Sequence, residues 1–451
     1  MANFQWAAGT PPPEASPHSL AKLRVLRAYL ENYFQTLTAQ PRMDRLRVTF
    51  VDGFCGGGVY RDGTQLVSGT PLLLCEAVED ARRSLNVGRA KPIAIDPEFY
   101  FLDRNPRAVD YLRSELVRQG RLSELGRSIH LSKGVFETNY PAIKRSIEAR
   151  TTRGVGRSIF VLDQKGYTSV PVSIIRDILS AFSGGEVILT FAVDWLIDYL
   201  SDKPQAFANL PQLEIGPDAI REYMRLKNET GGRYLIQRLL KQHIQQATGA
   251  RFISPFFIRS GEANKDLWIV HLSNNQTARN VMVAVHWLFK NHSWHPGQGG
   301  LEILGFDPKL DSDALPDFWF GDKELEVMHD RLAEDVLRRI RDNHKDAPVR
   351  YVDFLSSVAN ETPARLIDFD EVATNLVAYK ELKISTSEGN TRRAAKPGKA
   401  DLIGMAAQTT FVYLKDQRPV EKKPRRRTNF NSAPSTTPPA KSPNRGLFDQ
   451  D

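Results

Sequence analysis

Val51-Asp52-Gly53-Phe54-Cys55-Gly56-Gly57-Gly58 is the stretch whose reading decides the fold. Ahead of it, Leu46 to Val51 carries Val48, Phe50 and Val51, the short apolar run of a buried strand. Behind it, a polar loop leads to Thr70-Pro71, which opens a helix over Leu72 to Ala81. Thr suits an N-cap and Pro the first helical position. A glycine-rich turn between a strand and a helix lets the backbone pass close to a ligand. Asp52, at the strand's end, is placed to accept a hydrogen bond from a cationic group.

Outward from this turn the pattern repeats. Leu20 to Leu37 reads as an amphipathic helix, with Leu23, Leu26, Leu30, Tyr33, Phe34 and Leu37 at three- and four-residue steps, started by Ser16-Pro17 or Ser19. Strands are expected at Phe99–Leu102, Ile129–Leu131, Ser158–Leu162 and Glu186–Phe191, with helices between them. Short strands alternating with helices imply βαβ units and a mainly parallel, doubly wound sheet. Residues 201–250 read as a helical insert, and Phe252–Arg259 with Leu267–Leu272 as a closing antiparallel hairpin. Residues 321–415 read as a separate small helical or winged-helix-like module, with a helix at Lys323–Arg341, a second Thr-Pro helix start at Thr362-Pro363 and a strand at Thr409–Leu414. Residues 1–17, rich in Pro, Ala and Gly, read as flexible.

The chain has 451 residues, of which 41% are hydrophobic and 25% charged, the composition of a globular protein with a sizeable core. Its formal charge is +8. From Gln417 onward, eight Lys or Arg face three acids, so most of the excess lies in a basic tail, 417–451, whose composition predicts disorder. The body is close to balanced, so whole-chain basicity is weak support for a nucleic-acid partner. Two cysteines, Cys55 and Cys75, exclude a disulfide framework and suit a cytoplasmic setting. No apolar run of about 18 residues is present, so no membrane partner is expected.

Several residues form a candidate site at the strand ends. Asp103, ending Phe101-Leu102-Asp103, is placed to take hydrogen bonds from both ribose hydroxyls of a nucleoside. Its separation from Asp52 exceeds the usual spacing of about 20 residues, the excess lying in two loops. Asp96, ending Ile93-Ala94-Ile95, is its rival. Phe136 and Glu137, after the third strand, would flank an adenine ring. Asp163-Gln164-Lys165-Gly166-Tyr167 closes the fourth strand, where Asp163 could receive an acceptor, Tyr167 stack on it and Lys165 contact phosphate or assist deprotonation. Cytosine-C5 chemistry is set aside because neither cysteine follows a proline, and no P-loop motif occurs. No metal set is read.

The spacing Asp-x-Phe-x-Gly-x-Gly resembles the variant seen in methyltransferases that modify nucleic-acid bases. That resemblance implies a class I, Rossmann-like methyltransferase fold over residues 18–310: a mainly parallel seven-stranded sheet with a terminal antiparallel hairpin. It implies S-adenosylmethionine as cofactor, held by Asp52, Gly53, Phe54, Cys55, Gly56, Gly58, Asp103, Arg104, Phe136 and Glu137, with Asp163, Lys165 and Tyr167 as catalytic candidates. Lys22-Leu23-Arg24-Val25-Leu26-Arg27-Ala28-Tyr29-Leu30, the glycine loop, Ser68-Gly69-Thr70-Pro71-Leu72-Leu73-Leu74-Cys75-Glu76-Ala77 and Phe101 to Pro106 together resemble the three-Cys-motif partner (TcmP) family. That resemblance implies a bacterial origin and a radical S-adenosylmethionine-like partner with three cysteines. The family's fourth strand usually ends Asp-Pro-Phe-Gly; here Gln164-Lys165 replaces the middle pair. The expected function is methyl transfer to nucleic acid. The alternatives are an inactive methyltransferase-like partner subunit or nucleic-acid-binding module, and, third, a nicotinamide-dependent dehydrogenase.

Overall fold

The computed structural model describes residues 4–39, 43–151, 155–166, 168–200, 210–259, 266–289, 294–296, 317–319, 321–344, 347–392 and 396–406. The expected strand at 409–414 and the basic tail lie outside the described residues. The described residues, which end at 406, form one compact unit.

Helix α1 (Pro17–Thr38) starts where the Ser16 hydroxyl accepts the Ser19 N–H, with Pro17 in the first turn. Strand β1 (Arg45–Asp52) enters the glycine loop. The stretch read as a polar loop then folds into a hairpin of β2 (Val59–Asp62) and β3 (Gln65–Ser68). Helix α2 (Thr70–Ser84) follows, with Gly69 rather than Thr70 at the N-cap and no side-chain cap bond. Next come β4 (Ala94–Asp103), α3 (Pro106–Arg118), β5 (Ile129–Lys133), α4 (Phe136–Arg150), β6 (Ser158–Leu162), α5 (Val172–Ala181), β7 (Gly185–Phe191) and α6 (Val193–Tyr199). The helical stretch contains α7 (Pro217–Lys227) and α8 (Gly232–Thr248). Strands β8 (Phe252–Arg259) and β9 (Asp266–Ser273) and helix α9 (Gln276–Leu288) complete this part.

The main sheet runs β5-β4-β1-β6-β7-β9-β8. All its neighbouring pairs are parallel except those of β9, which is antiparallel to both β7 and β8. This is the class I, Rossmann-like methyltransferase sheet. The order reverses between β1 and β6, the switch point where such sheets open a crevice at their carboxyl ends. Asp96 lies near the amino end of β4 and Asp103 at its carboxyl end, so Asp103 is the strand-end acid.

Alternation along the central strands splits the core in two. Phe160, Leu162, Val187, Leu189 and Phe191 face α4, α5 and α8. Phe50, Ile159, Val161 and Ile188 face α1, α2 and α3. Phe50 stacks on Phe99 at 5.4 Å between ring centres. No helix among the described residues is long and apolar enough to cross a membrane.

A short pair, β10 (Trp294–Pro296) with β11 (Asp317–Trp319), precedes the last elements. These are α10 (Asp322–His344), β12 (Val349–Arg350), α11 (Tyr351–Val358), α12 (Leu366–Ala378), β13 (Leu382–Ser385) and β14 (Leu402–Met405), with the three strands ordered β12-β14-β13. Thr362-Pro363 does not open a helix; α12 begins at Leu366 because the preceding loop is held by other elements. Arg279 of α9 donates to Thr362 O and Ala364 O, Trp287 donates to Pro363 O at 2.8 Å, and Asn280 Oδ1 accepts the Leu366 N–H at 2.7 Å. Met328, Leu332 and Phe354 join the same core as Ile253 and Val283, so these elements share buried surface with the sheet's end.

Lys241 of α8 is buried at this joint and donates to Asn360 O. Burial, then the nearby Arg279 charge, pulls its ammonium down to about 7. A lysine depressed in the folded state adds stability that is complete above its unfolded pKa of about 10.4 and is lost as the pH falls towards the folded value. The thermal midpoint of the full chain is therefore expected to gain from Lys241 as the pH is raised from about 7 to about 10. Lys241→Met should show a smaller gain over the same range; identical pH profiles for the two proteins would refute the assignment.

Candidate active site at the carboxyl edge of the sheet

The segment after β1 is stitched on both sides. Gly53 N–H donates to Val161 O of β6 at 3.1 Å, and Cys55 N–H donates to Leu102 O of β4 at 2.8 Å. Gly56 N–H donates to Asp103 Oδ2 at 3.0 Å, while Asp103 Oδ1 accepts Asn105 N–H at 2.7 Å. The glycine loop and the β4 acid, 47 residues apart in sequence, thus touch directly. Gly56 and Gly58 take φ of 57° and 78°, the left-handed region that glycine enters without a Cβ penalty.

The space over these glycines is filled from an unexpected direction. Residues 1–17 read as flexible, but residues 4–16 pack as a strap along the loop. The Trp6 indole is 7% exposed, and its Nε1–H donates to Val59 O at 2.9 Å. A Cβ on Gly57 would lie 2.2 Å from Trp6 Cδ1, and one on Gly56 would lie 2.7 Å from Trp6 Cη2. Phe4, Trp6 and Tyr60 meet edge-on or tilted, with centroids 5.1 to 5.9 Å apart. Arg61 N–H donates to Pro13 O and Ala15 N–H to Arg61 O, so the strap pairs with β2. Gly58 is needed for another neighbour: its Cβ would meet Leu112 of α3 at 2.5 Å.

Asp52, four residues before Gly56, is 1% exposed. Its Oδ1 accepts the Phe54 N–H at 3.0 Å, while Oδ2 is buried with no partner. Burial pushes its carboxyl well above the usual range. The Phe54 N–H opposes this, the nearby Asp163 and Asp103 add to it, and Lys22 opposes it. The same three carboxylates, after burial, raise the Tyr60 phenol. Three acids from β1, β4 and β6 therefore converge on one small region, with an acceptor oxygen that lacks a donor. That chemistry suits a cation, and an ammonium group in particular.

The β6 loop explains its own departure from the expected pattern. Asp163 is bound through both oxygens by Lys22 Nζ of α1 at 2.6 Å. Gln164, buried at 2%, turns back so that its Oε1 accepts Ser169 N–H at 2.8 Å and Val170 N–H at 3.1 Å. It holds the following turn as a hydrogen-bonding strut. Lys165 is exposed. Tyr167 lies outside the described residues. Phe136 opens α4 as a core residue, packed on Gly53, Tyr140 and Phe160, so its faces are taken by protein. Val135, just before it, is 48% exposed and presents an apolar side chain at the carboxyl end of β5. Arg104 and Glu137 are exposed, and Cys55 is a buried packing residue. Asp194 is buried beside Arg233 Nη1 at 2.5 Å and so anchors α6 to α8.

Trp6, Lys22, Tyr60 and Gln164 were not legible as site residues. Lys22 is one polar residue on an amphipathic helix, and Trp6 lies in a Pro/Ala segment with no periodicity. Only the fold brings them to the loop.

No protein-family model and no curated relative matches the sequence. Solved structures with a similar chain path include the N-terminal domain of human METTL16 in complex with SAH, 10% identical, covering 56% of this chain and 70% of that one at a TM-score of 0.29. Precorrin-6y C5,15-methyltransferase from Geobacter metallireducens is 10% identical, covering 60% and 94% at 0.26. An rRNA methylase from Streptococcus thermophilus is 13% identical, covering 57% and 96% at 0.24. At these scores the likeness carries no argument about activity, and the fold rests on the strand order above.

Gly57→Ala should expel the strap, because the new methyl cannot share space with the Trp6 ring. An overpacking cost of about 1–3 kcal/mol is expected. Limited chymotrypsin digestion would read this as faster cleavage after Phe4 and Trp6. Unchanged cleavage would show that Trp6 does not sit on the glycines.

Proposed function

We propose that this chain is an S-adenosylmethionine-dependent methyltransferase acting on nucleic acid. The observation that carries the reading is the buried, partnerless Oδ2 of Asp52 beside the glycine loop, with Asp103 hydrogen-bonded to that same loop. Asp52 would receive the cofactor's ammonium. Each Asp103 oxygen uses one acceptor site on a backbone N–H and keeps another for a ribose hydroxyl. Val135 would supply the apolar flank assigned from sequence to Phe136, and Glu137 would lie at the same rim. S-adenosylmethionine, when bound, supplies an electrophilic methyl group for direct displacement by a nucleophile. The chain's share is positioning. Asp163 would orient the acceptor, and Lys22 holds that side chain in place through both of its oxygens. The exposed Lys165 would contact a phosphate of the substrate.

The choice of nucleic acid rests on the Asp-x-Phe-x-Gly-x-Gly resemblance. Membership of the TcmP family, with its bacterial and cytoplasmic setting and its three-cysteine partner protein, belongs to the same proposal. We read the described part of the 321–415 unit as a small helical or winged-helix-like module. Its α12 is a poor reader of DNA or RNA: the exposed Glu371 is acidic, Asp370 is already taken by Tyr351 and Lys396, and Asn280 takes the first N–H of the helix. Contacts to phosphate are therefore assigned elsewhere.

A second reading is favoured by two contacts. Trp6 covers the loop, and Lys22 occupies both oxygens of Asp163. A partner subunit that keeps the fold without turnover would have such a self-filled site. In the enzymatic reading, the strap must swing away and Lys22 must share its carboxylate.

Calorimetry with S-adenosylmethionine tests the cofactor half. Binding by the wild type is expected, with loss of about tenfold or more in affinity for Asp103→Ala. An ammonium beside Asp52 would lower that raised carboxyl and expel a proton. The apparent enthalpy should therefore change between buffers of different ionisation heat, and Asp52→Asn should abolish this change. No heat with the wild type would sink the cofactor reading. Binding without methyl transfer to DNA, RNA or protein would leave the partner-subunit reading standing.

A further inference from the structure

At the opposite, amino end of the sheet lies a second concave site. A cleft of 590 Å³ opens between the start of β1, the end of α4 and the approach to β6. Four guanidinium groups line it: Arg45 and Arg47 from β1, Arg150 from the last residue of α4, and Arg157 just before β6. Val48 and Ile147 form an apolar part of its wall. The whole of β1, about 25 Å of strand, separates it from the glycine loop. It shares no residue with the candidate active site.

The charges do not cancel. Arg47 is 3.4 Å from Asp96, and Arg150 reaches Asp96 at 3.6 Å and Glu98 at 3.1 Å. Glu98 also meets His130 at 3.1 Å. Asp44, the one acid in the wall, is held by Lys91 at 3.2 Å. Arg45 and Arg157 have no carboxylate within ion-pair distance among the described residues. Both are anchored at strand starts: Arg45 is the first residue of β1, and Arg157 O accepts the Thr49 N–H at 3.0 Å. Two guanidiniums without partners, carried on rigid elements at the mouth of a concave cleft, leave a positive field that like charges alone make unfavourable. Arginine's planar fork matches phosphate oxygens in pairs. The volume falls in the range of small-ligand sites, of about 300–1,000 Å³.

We propose that this cleft binds the phosphate groups of a nucleotide-sized ligand, with Arg45 and Arg157 as the phosphate forks and Arg47 and Arg150 as a charged rear wall. Val48 and Ile147, each 1% exposed, belong to the packed core behind the cleft. The assignment does not depend on methyltransferase activity.

The test uses the full chain and three probes at low salt: inorganic triphosphate, a fluorescent nucleoside triphosphate and a short single-stranded oligonucleotide, each followed by anisotropy or calorimetry. Saturable binding of triphosphate or nucleotide is expected, weakened about tenfold or more in Arg45→Ala/Arg157→Ala. The Arg45→Lys/Arg157→Lys variant keeps the charge and loses the fork, so it should recover only part of the affinity and also guard against a folding defect. Oligonucleotide binding with the same dependence on Arg45 and Arg157 would uphold the phosphate assignment and place its source in a nucleic-acid backbone. No binding of any probe at millimolar concentration, or equal affinity in the double alanine variant, would overturn it.

Discussion

Three backbone hydrogen bonds fix the segment after β1, and the carboxyl edge of the sheet is built around them. Gly53 is tied to β6, Cys55 to β4, and Gly56 to the Asp103 carboxylate. A buried backbone N–H left without a partner is costly, so these donors define where the loop can run. Once it runs there, the Asp52 carboxyl has nowhere to go except under it. Phe136 then fills the space beside Gly53, and α3 closes on Gly58 through Leu112. The loop is held by protein on three sides and capped by Trp6 on the fourth.

That arrangement concentrates negative charge. Asp52, Asp103 and Asp163 lie near enough to influence one another, with Lys22 as the nearest cation. Burial dominates at Asp52, where a charged form would be poorly solvated. A region with more carboxylate than cation, and with one acceptor oxygen lacking a donor, is poised to take a positive group. The same logic explains why α1 matters to the site. It lies outside the strand-loop motifs, yet its Lys22 is the cation that grips both oxygens of Asp163 at this edge.

The opposite sign prevails at the far end of the sheet and at the joint with the last helices. Arg279 and Lys241 are buried where α8 and α9 meet the 360–366 loop, and they answer carbonyl oxygens in place of carboxylates. Arg279, pulled down to about 10 chiefly by burial, satisfies two carbonyls at once. This explains why a loop with a helix-start sequence, Thr362-Pro363, is not a helix start: its carbonyl groups are already committed to another element.

Strand and helix periodicity and the closing hairpin pointed to a mainly parallel, doubly wound sheet, and the resemblance of the glycine loop implied its class I methyltransferase form, which the strand order bears out. The places of Asp52 and Asp103 at strand ends were legible too, because acids closing apolar runs follow from local pattern. The β2–β3 hairpin was missed since Val59 to Ser68 is too short and polar to show a period. The flexible reading of residues 1–17 failed because Pro, Ala and Gly content describes the free chain, not a surface waiting for an indole. Trp6 on Gly57, Lys22 on Asp163 and the gathering of Arg45, Arg47, Arg150 and Arg157 join residues far apart in sequence. Local chemistry determines which elements form, and only their packing decides which side chains meet. Contacts between distant residues depend on that packing geometry, which no single segment encodes.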